Sequence, residues 1–129
     1  MRRILIIPVL FLTVLFSTPS YAKWTKVGEN TVGNVIYVDF ERIRKHGGYV
    51  YYWGLNDYLK PDKYGAFSHK SYSQGDCTLF RYRYLNLSFH KEKMGAGTGK
   101  TFTYNDDSDW SYPPPNSTNE FTLKTVCSK

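Results

Sequence analysis

The chain has 129 residues with 17 basic and 11 acidic side chains, a formal charge of +6, and 18% aromatic content. That length allows one domain with one hydrophobic core and excludes a second unit of ordinary size. A mildly basic balance favours acidic partners in a general way and selects none.

The chain opens on the three parts of a secretory signal. Arg2 and Arg3 form a positive start, Ile4 to Phe16 is an apolar run broken only by Pro8 and Thr13, and a polar stretch ends in Ser20-Tyr21-Ala22. Small residues at Ser20 and Ala22 place a cut between Ala22 and Lys23. A membrane anchor is the alternative, but crossing a bilayer takes roughly 20 apolar residues and this run is shorter. The arginine pair abuts Met1 and lacks the flanks of a twin-arginine signal. No cysteine lies in or just after the signal, and no later segment is apolar enough to span a membrane. The expectation is an exported protein without a lipid anchor, periplasmic first, with the cell surface or the medium as alternatives. Removing residues 1–22 leaves about 107 residues carrying about 15 basic and 11 acidic groups.

Alternation and turn residues then predict antiparallel strands. Trp24 to Val27 is the first, ending near Gly28-Glu29-Asn30, and Val35 to Phe40 is the second. Glu41 to His46 is a charged connection closed by Gly47-Gly48. Tyr49 to Leu55 follows as a strand that pairs with the second, with Val50 and Tyr52 on one face and Tyr49, Tyr51, Trp53 and Leu55 on the other. Asn56 to Phe67 reads as a surface loop. Ser68 to Gln74 alternates weakly and reads as an edge strand, and Gly75-Asp76 as a tight turn into a long strand, Cys77 to Phe89. Lys91 to Asp109 is the least regular part. Trp110-Ser111-Tyr112 anchors the chain before Pro113-Pro114-Pro115, a stiff spacer.

Ser117-Thr118-Asn119-Glu120 fits a helix-capping box and predicts a helix over Thr118 to Val126. So short a helix is marginal alone. The two cysteines, Cys77 and Cys127, meet an oxidising compartment after export, where an even number of thiols pairs by default. The disulfide ties the helix end to the sheet, and the helix covers the ring-lined face that carries Tyr82 and Tyr84. The predicted fold class is α+β: a single antiparallel sheet of five to six strands with a C-terminal helix held by a disulfide.

Chemistry-bearing motifs are scarce. Met94 to Thr101 resembles a phosphate-binding loop, but Met94 stands where its first glycine is required. Arg81-Tyr82-Arg83-Tyr84 could stack and neutralise a nucleic acid, yet strand alternation sends rings and guanidinium groups to opposite faces, so no nucleic-acid partner is expected. Asp106, Asp107 and Asp109 lack the spacing of a calcium loop. His46, His69 and His90 lack the paired spacing of a zinc site. No nucleophile elbow is present. No cofactor, metal or catalytic residue is assigned. Asn86-Leu87-Ser88 and Asn116-Ser117-Thr118 match the glycosylation triplet and are given no role.

An ordered set of residues carries a family resemblance: Trp24; Tyr37-Val38-Asp39; Tyr52-Trp53-Gly54-Leu55-Asn56-Asp57; Ser68; Asp76-Cys77; Arg81; Trp110; Pro113 to Ser117; and Val126-Cys127. In this order and with both cysteines it is similar to the surface-adhesin protein E family of bacterial exported proteins. The resemblance implies an antiparallel sheet with a disulfide-held C-terminal helix, a Gram-negative source, and a homodimer as one assembly. For the adhesin that gives the family its name it implies binding of host matrix and serum proteins at the cell surface. That adhesin is lipid-anchored through a cysteine at its mature N-terminus, where this chain has Lys23, which favours the periplasm here.

The expected function is a non-catalytic exported binding domain whose partner is a protein or an anionic envelope component. Arg42, Arg44 and Lys45, with Lys60 and Lys63, are the candidate contact residues. A small periplasmic hydrolase or ligand-binding enzyme, which needs a pocket where a histidine meets a carboxylate, is the second reading. A structural component of an envelope assembly is the third.

Overall fold

The computed structural model describes residues 22–105 and 108–129. The leader up to Tyr21, and the loop acids Asp106 and Asp107, lie outside the described residues. Among the described residues no helix is long and apolar enough to cross a membrane.

Seven strands form one antiparallel sheet: β1 (Thr25–Glu29), β2 (Val35–Val38), β3 (Arg44–His46), β4 (Tyr49–Asp57), β5 (Ser68–Asp76), β6 (Arg81–His90) and β7 (Thr101–Thr103). The order is β1-β2-β4-β5-β6-β7, with β3 also paired to β4. One α-helix among the described residues, α1 (Thr118–Cys127), closes the fold. The count exceeds the expected five to six because β3 and β7 have three residues each. Neither offers the apolar alternation that would reveal it in sequence.

β2 and β3 behave as two halves of one strand. β2 pairs with Gly54 to Asp57 and β3 with Tyr49 to Tyr51, on the same edge of β4 and in the same direction. Between them the chain bulges outward as one 3₁₀ turn, Phe40–Arg42. Asp39 causes the bulge: its Oδ1 accepts the Glu41 N–H at 3.2 Å, which stops the ladder locally. The second half of the expected charged connection is therefore strand, and the turn is only Gly47-Gly48, where φ is +60° and +83°. Such angles suit glycine and fit a hairpin turn.

β5 corrects the sequence reading most. It was expected at an edge, yet it lies in the middle of the sheet, paired along its length with β4 and β6. Gly75 and Asp76 belong to β5, not to a turn, and the turn is Cys77 to Phe80. Gly75 is there for space. A Cβ on it would stand 2.9 Å from Val50 Cγ1 and 3.0 Å from Leu123 Cδ1, so its absence lets the helix sit down on the sheet. Asp76 organises the turn instead, accepting the N–H groups of Thr78 and Leu79, each at 3.1 Å. The long strand consequently starts at Arg81 rather than Cys77. A bulge opposite Tyr72-Ser73 leaves Leu85 unpaired in β6.

α1 begins where the capping sequence places it. Ser117 Oγ accepts the Glu120 N–H at 3.1 Å, while Glu120 Oε1 reaches the Asn116 N–H rather than that of Ser117. Leu123 and Val126 are fully buried against Val38, Val50, Tyr52 and Tyr82. Each such aliphatic side chain contributes roughly 1.5–3 kcal/mol on burial. Cys127 ends the helix and is bonded to Cys77 in the β5–β6 turn, with Cα atoms 5.7 Å apart. One face of the sheet is thereby covered at the β1–β4 side by the helix. Among the described residues the opposite face carries no α-helix, and the 3₁₀ turn Lys93–Gly95 sits over its far end at Ser68 and Lys70.

Candidate functional site

The uncovered face is built by the alternation of β4, β5 and β6. Tyr49, Tyr51 and Trp53 of β4, Tyr72 and Gln74 of β5, and Arg81 and Arg83 of β6 share it, because register partners across a sheet point the same way. One row runs Arg44–Tyr51–Gln74–Arg83 across four strands, and a second pairs Trp53 with Tyr72. The rings are half-buried and touch: Trp53 stacks on Tyr72 with centroids 4.9 Å apart, and Tyr51 lies 6.2 Å from Tyr72. Gln74 locks the row. Its Oε1 accepts from Arg83 Nε at 2.7 Å and its Nε2 donates to the Tyr51 hydroxyl at 3.1 Å.

Trp110 completes this face from far away in sequence. Ser111 bridges to Tyr82 through two backbone hydrogen bonds of 2.8 and 2.9 Å, which lays the indole over the edge of the sheet. Both Arg81 and Arg83 hold their guanidinium carbon 4.3 Å from its ring centre, and Tyr49 packs on it at 5.6 Å. Cation–ring contacts of this kind are worth roughly 0.5–2 kcal/mol each. This overturns the expectation that alternation keeps rings and guanidinium groups apart. It does so along β6, but a distant tryptophan restores the contact. Arg81 Nε also donates to Asp76 Oδ2 at 3.0 Å. Burial alone would raise the Asp76 pKa, but hydrogen bonds from Leu79, Arg81 and Thr78 outweigh it and hold the carboxyl below its usual value.

The five candidate cations do not gather in one place. Arg42 sits in the 3₁₀ turn and pairs with Asp39 at 3.4 Å. Arg44 stands exposed at the rim of the ring-bearing face, while Lys45 points from β3 to the other side. Lys60 and Lys63 lie in the β4–β5 loop, beyond the far end of β4, roughly 20–30 Å from β3 at about 3.3 Å per residue. Lys63 Nζ is 5.0 Å from the Tyr64 ring.

A second feature escaped the sequence reading. His69 of β5 is flanked by Asn56, whose Nδ2 lies 3.1 Å from its Nε2, and by the Tyr58 hydroxyl at its Nδ1. Burial lowers the His69 pKa to about 4, opposed by Asp62 and reinforced by His90. Burial, with Asp62, pushes Tyr58 up to about 12. The cleft beside it, between Gly54, Ser71, Ser73, Tyr84 and the helix residue Asn119, encloses only about 30 Å³, room for about one water molecule. No acidic side chain lines that cleft. Among the described residues no cluster of three or more His, Cys, Asp or Glu could hold a metal ion.

Comparison with known proteins bears on this arrangement. No curated protein matches the chain. Solved structures of Haemophilus influenzae protein E share its fold. Crystal form II aligns with a TM-score of 0.59 at 16% identity, covering 84% of this chain and 90% of that one. The selenomethionine form gives 0.58 at 16% identity over 84% and 88%. A structure from non-typeable Haemophilus influenzae gives 0.54 at 16% identity over 86% and 79%. At that identity the likeness is one of architecture. The family described as surface-adhesin protein E matches residues 24–128, a span holding the sheet, the ring-bearing face, both cysteines and the helix. The chain therefore belongs to the surface-adhesin protein E family, a family of adhesins rather than of enzymes.

Proposed function

We propose that the protein is exported, loses its leader before Lys23, and works as a non-catalytic binding domain of the bacterial envelope. It contacts a protein partner through the open ring-and-arginine face. Family membership supports an adhesin-like role. The observation that carries the choice of face is its composition: two tryptophans, three tyrosines and three arginines, half-exposed, with no α-helix among the described residues over them. Tryptophan, tyrosine and arginine are the residues that concentrate binding energy at protein interfaces, with truncations costing roughly 2 kcal/mol or more each. Arg44 at the rim, with Arg42 and Lys45 behind it, steers acidic partners. Lys60 and Lys63 belong to a different surface.

The cleavage site has support of its own. The Lys23 backbone nitrogen lies 3.3 Å from Asp39 Oδ2, and Asp39 is almost fully buried. A cut at that bond leaves an ammonium group facing a carboxylate that already pairs with Arg42. Amino-terminal sequencing of exported material should read Lys23 first. A start elsewhere, or retention of the leader, removes the cleavage proposal.

The binding proposal is tested by cross-linking to envelope extract and to host matrix and serum proteins. Wild type should capture a partner that Trp53→Ala with Arg44→Glu loses by at least about tenfold, the equivalent of about 1.4 kcal/mol. Lys60→Ala with Lys63→Ala should capture it normally. Equal capture by the Trp53 and Arg44 variant, with a native circular-dichroism spectrum, would show that the face is not the contact surface.

A further inference from the structure

At the end of the sheet where β4 stops and β5 begins, three turns come together. The β1–β2 turn (residues 30–34) meets the β4–β5 loop (residues 58–67), since the Leu59 N–H donates to Asn34 Oδ1 at 3.1 Å. The turn after β6 (residues 92–96) joins them: Lys93 Nζ donates to the Tyr58 carbonyl, and the Met94 N–H to Asp57 Oδ1 at 2.7 Å. From these turns Val32, Leu59 and Tyr64 project with 66%, 59% and 82% of their surface exposed. Large apolar side chains standing out together at a tip usually mark an interaction surface.

The tips are held out rather than folded back. The β4–β5 loop is closed by the Tyr58 N–H on the Phe67 carbonyl at 2.9 Å and the Asp62 N–H on the Ala66 carbonyl at 2.8 Å. Gly33, with φ at +87°, packs directly against Leu59, where a Cβ would stand 2.9 Å from Leu59 Cδ2. The loop is thus wedged into one shape before any partner arrives.

Charge at this end selects the partner. Lys60, Lys63, Lys91, Lys93 and Lys100 lie here. Two of the four local acids are turned inward, Asp57 onto the Met94 N–H and Asp62 onto the N–H groups of Tyr64 and Ala66, both at 2.9 Å. Of the other two, Glu92 packs against Gly97 and Glu29 pairs with Lys26 at 3.3 Å. The outward groups are therefore apolar tips with the ammoniums of Lys60, Lys63, Lys91 and Lys100 around them, Lys93 being turned onto the Tyr58 carbonyl. Lysines of this kind keep their charge at the level of phosphate headgroups while short apolar tips enter the acyl boundary. The tips rise from two of the turns beside a hollow lined by Val32, Asn34, Tyr58, Lys60, Pro61 and Asp62, and flexible lysine point charges around them suit a layer of phosphate headgroups.

We infer that this end of the molecule docks on an anionic lipid bilayer, seating the domain peripherally on a membrane with Val32, Leu59 and Tyr64 as the inserted side chains. The docked surface lies at the opposite end of β4 from Arg44, so it is independent of the proposed protein-binding face, and failure of either leaves the other standing.

The test is co-sedimentation of the exported protein with vesicles of phosphatidylcholine alone or mixed with phosphatidylglycerol. Binding should require the anionic lipid and weaken with added salt. Lys60→Glu with Lys63→Glu should cut partitioning on the order of tenfold or more. Leu59→Ser with Tyr64→Ser, which keeps every charge, should cut it by a similar factor. Arg44→Glu should bind vesicles like wild type. Equal binding to both vesicle types, no binding to either, or full binding by the Leu59 and Tyr64 variant would each overturn the inference. Capture of a soluble partner by these tips without vesicle binding would overturn it as well.

Discussion

Replacing Cys77 and Cys127 together by serine is expected to lower the stability of the domain by about 4 kcal/mol, the chain-entropy value for a closed loop of this length. The cross-link joins positions separated by 50 residues in sequence, and what it ties down is weak by itself. α1 has ten residues, too few to persist alone in water, and only Leu123, Val126 and Thr122 of it are buried. Against a total that for small domains is roughly 5–15 kcal/mol, the loss is a large share. Leu123 and Val126 would leave Val50, Tyr52 and Tyr82 without a cover, so helix detachment and global unfolding should coincide. Urea titration of the double-serine variant should therefore show a single transition at a much lower midpoint. Because Cys77 is exposed, reductant should bring wild type to the same midpoint. A double-serine variant within about 1 kcal/mol of oxidised wild type would show that packing alone holds the helix.

That dependence on one covalent tie was legible in the sequence, because two cysteines behind a secretory leader leave little choice of pairing. The capped helix and the aromatic β4 were legible for a similar reason: Ser117 with Glu120, and the alternation of Val50 and Tyr52 against Tyr51 and Trp53, are local signals. β5 was not. Its inward residues are Ser71, Ser73 and Gly75, a set that looks exposed by composition. They are small because Tyr52 and Tyr84 lean over them from the neighbouring strands, with a hydrogen bond joining Tyr52 to Ser73. Polarity in a central strand reflects the bulk of its neighbours, which no single-strand pattern contains. β3 was hidden because Arg44, Lys45 and His46 are all exposed and are strand only by virtue of the partner they find in β4.

The candidate site divides in the same way. Tyr51, Trp53, Arg81 and Arg83 could be placed on strands by period alone, but Trp110 could not be placed on Arg83, 27 positions earlier in the chain. That contact exists because Ser111 pairs with Tyr82, a long-range event with no local trace. The candidate cations failed to converge for a complementary reason. Lys60 seemed near Arg44 in sequence, yet the extended length of β4 lies between them.

His69 gives the second large effect, a loss of stability in acid. Its Nε2 accepts from Asn56 Nδ2, which puts the ring proton on Nδ1, donated to the Tyr58 hydroxyl. Protonation at Nε2 would set two donors face to face in a largely buried site. Burial is the main reason its folded pKa falls from 6.5 to about 4, with His90 adding to the fall and Asp62 opposing it. Between these two values the unfolded chain binds a proton that the folded chain refuses. The stability this neutral histidine provides is thus intact above about pH 6.5 and declines as pH falls towards 4. At about 1.4 kcal/mol for each pH unit between the two pKa values, the decline reaches about 3 kcal/mol. His69→Gln keeps an amide between Asn56 and Tyr58 without the titration. Its stability, measured by urea titration at pH 7 and pH 4, should fall by about 3 kcal/mol less than that of wild type, since the carboxylates titrate in both. Matched losses in the two proteins would mean that His69 takes up its proton as readily folded as unfolded, and that the Asn56–His69–Tyr58 chain exerts no hold on its charge.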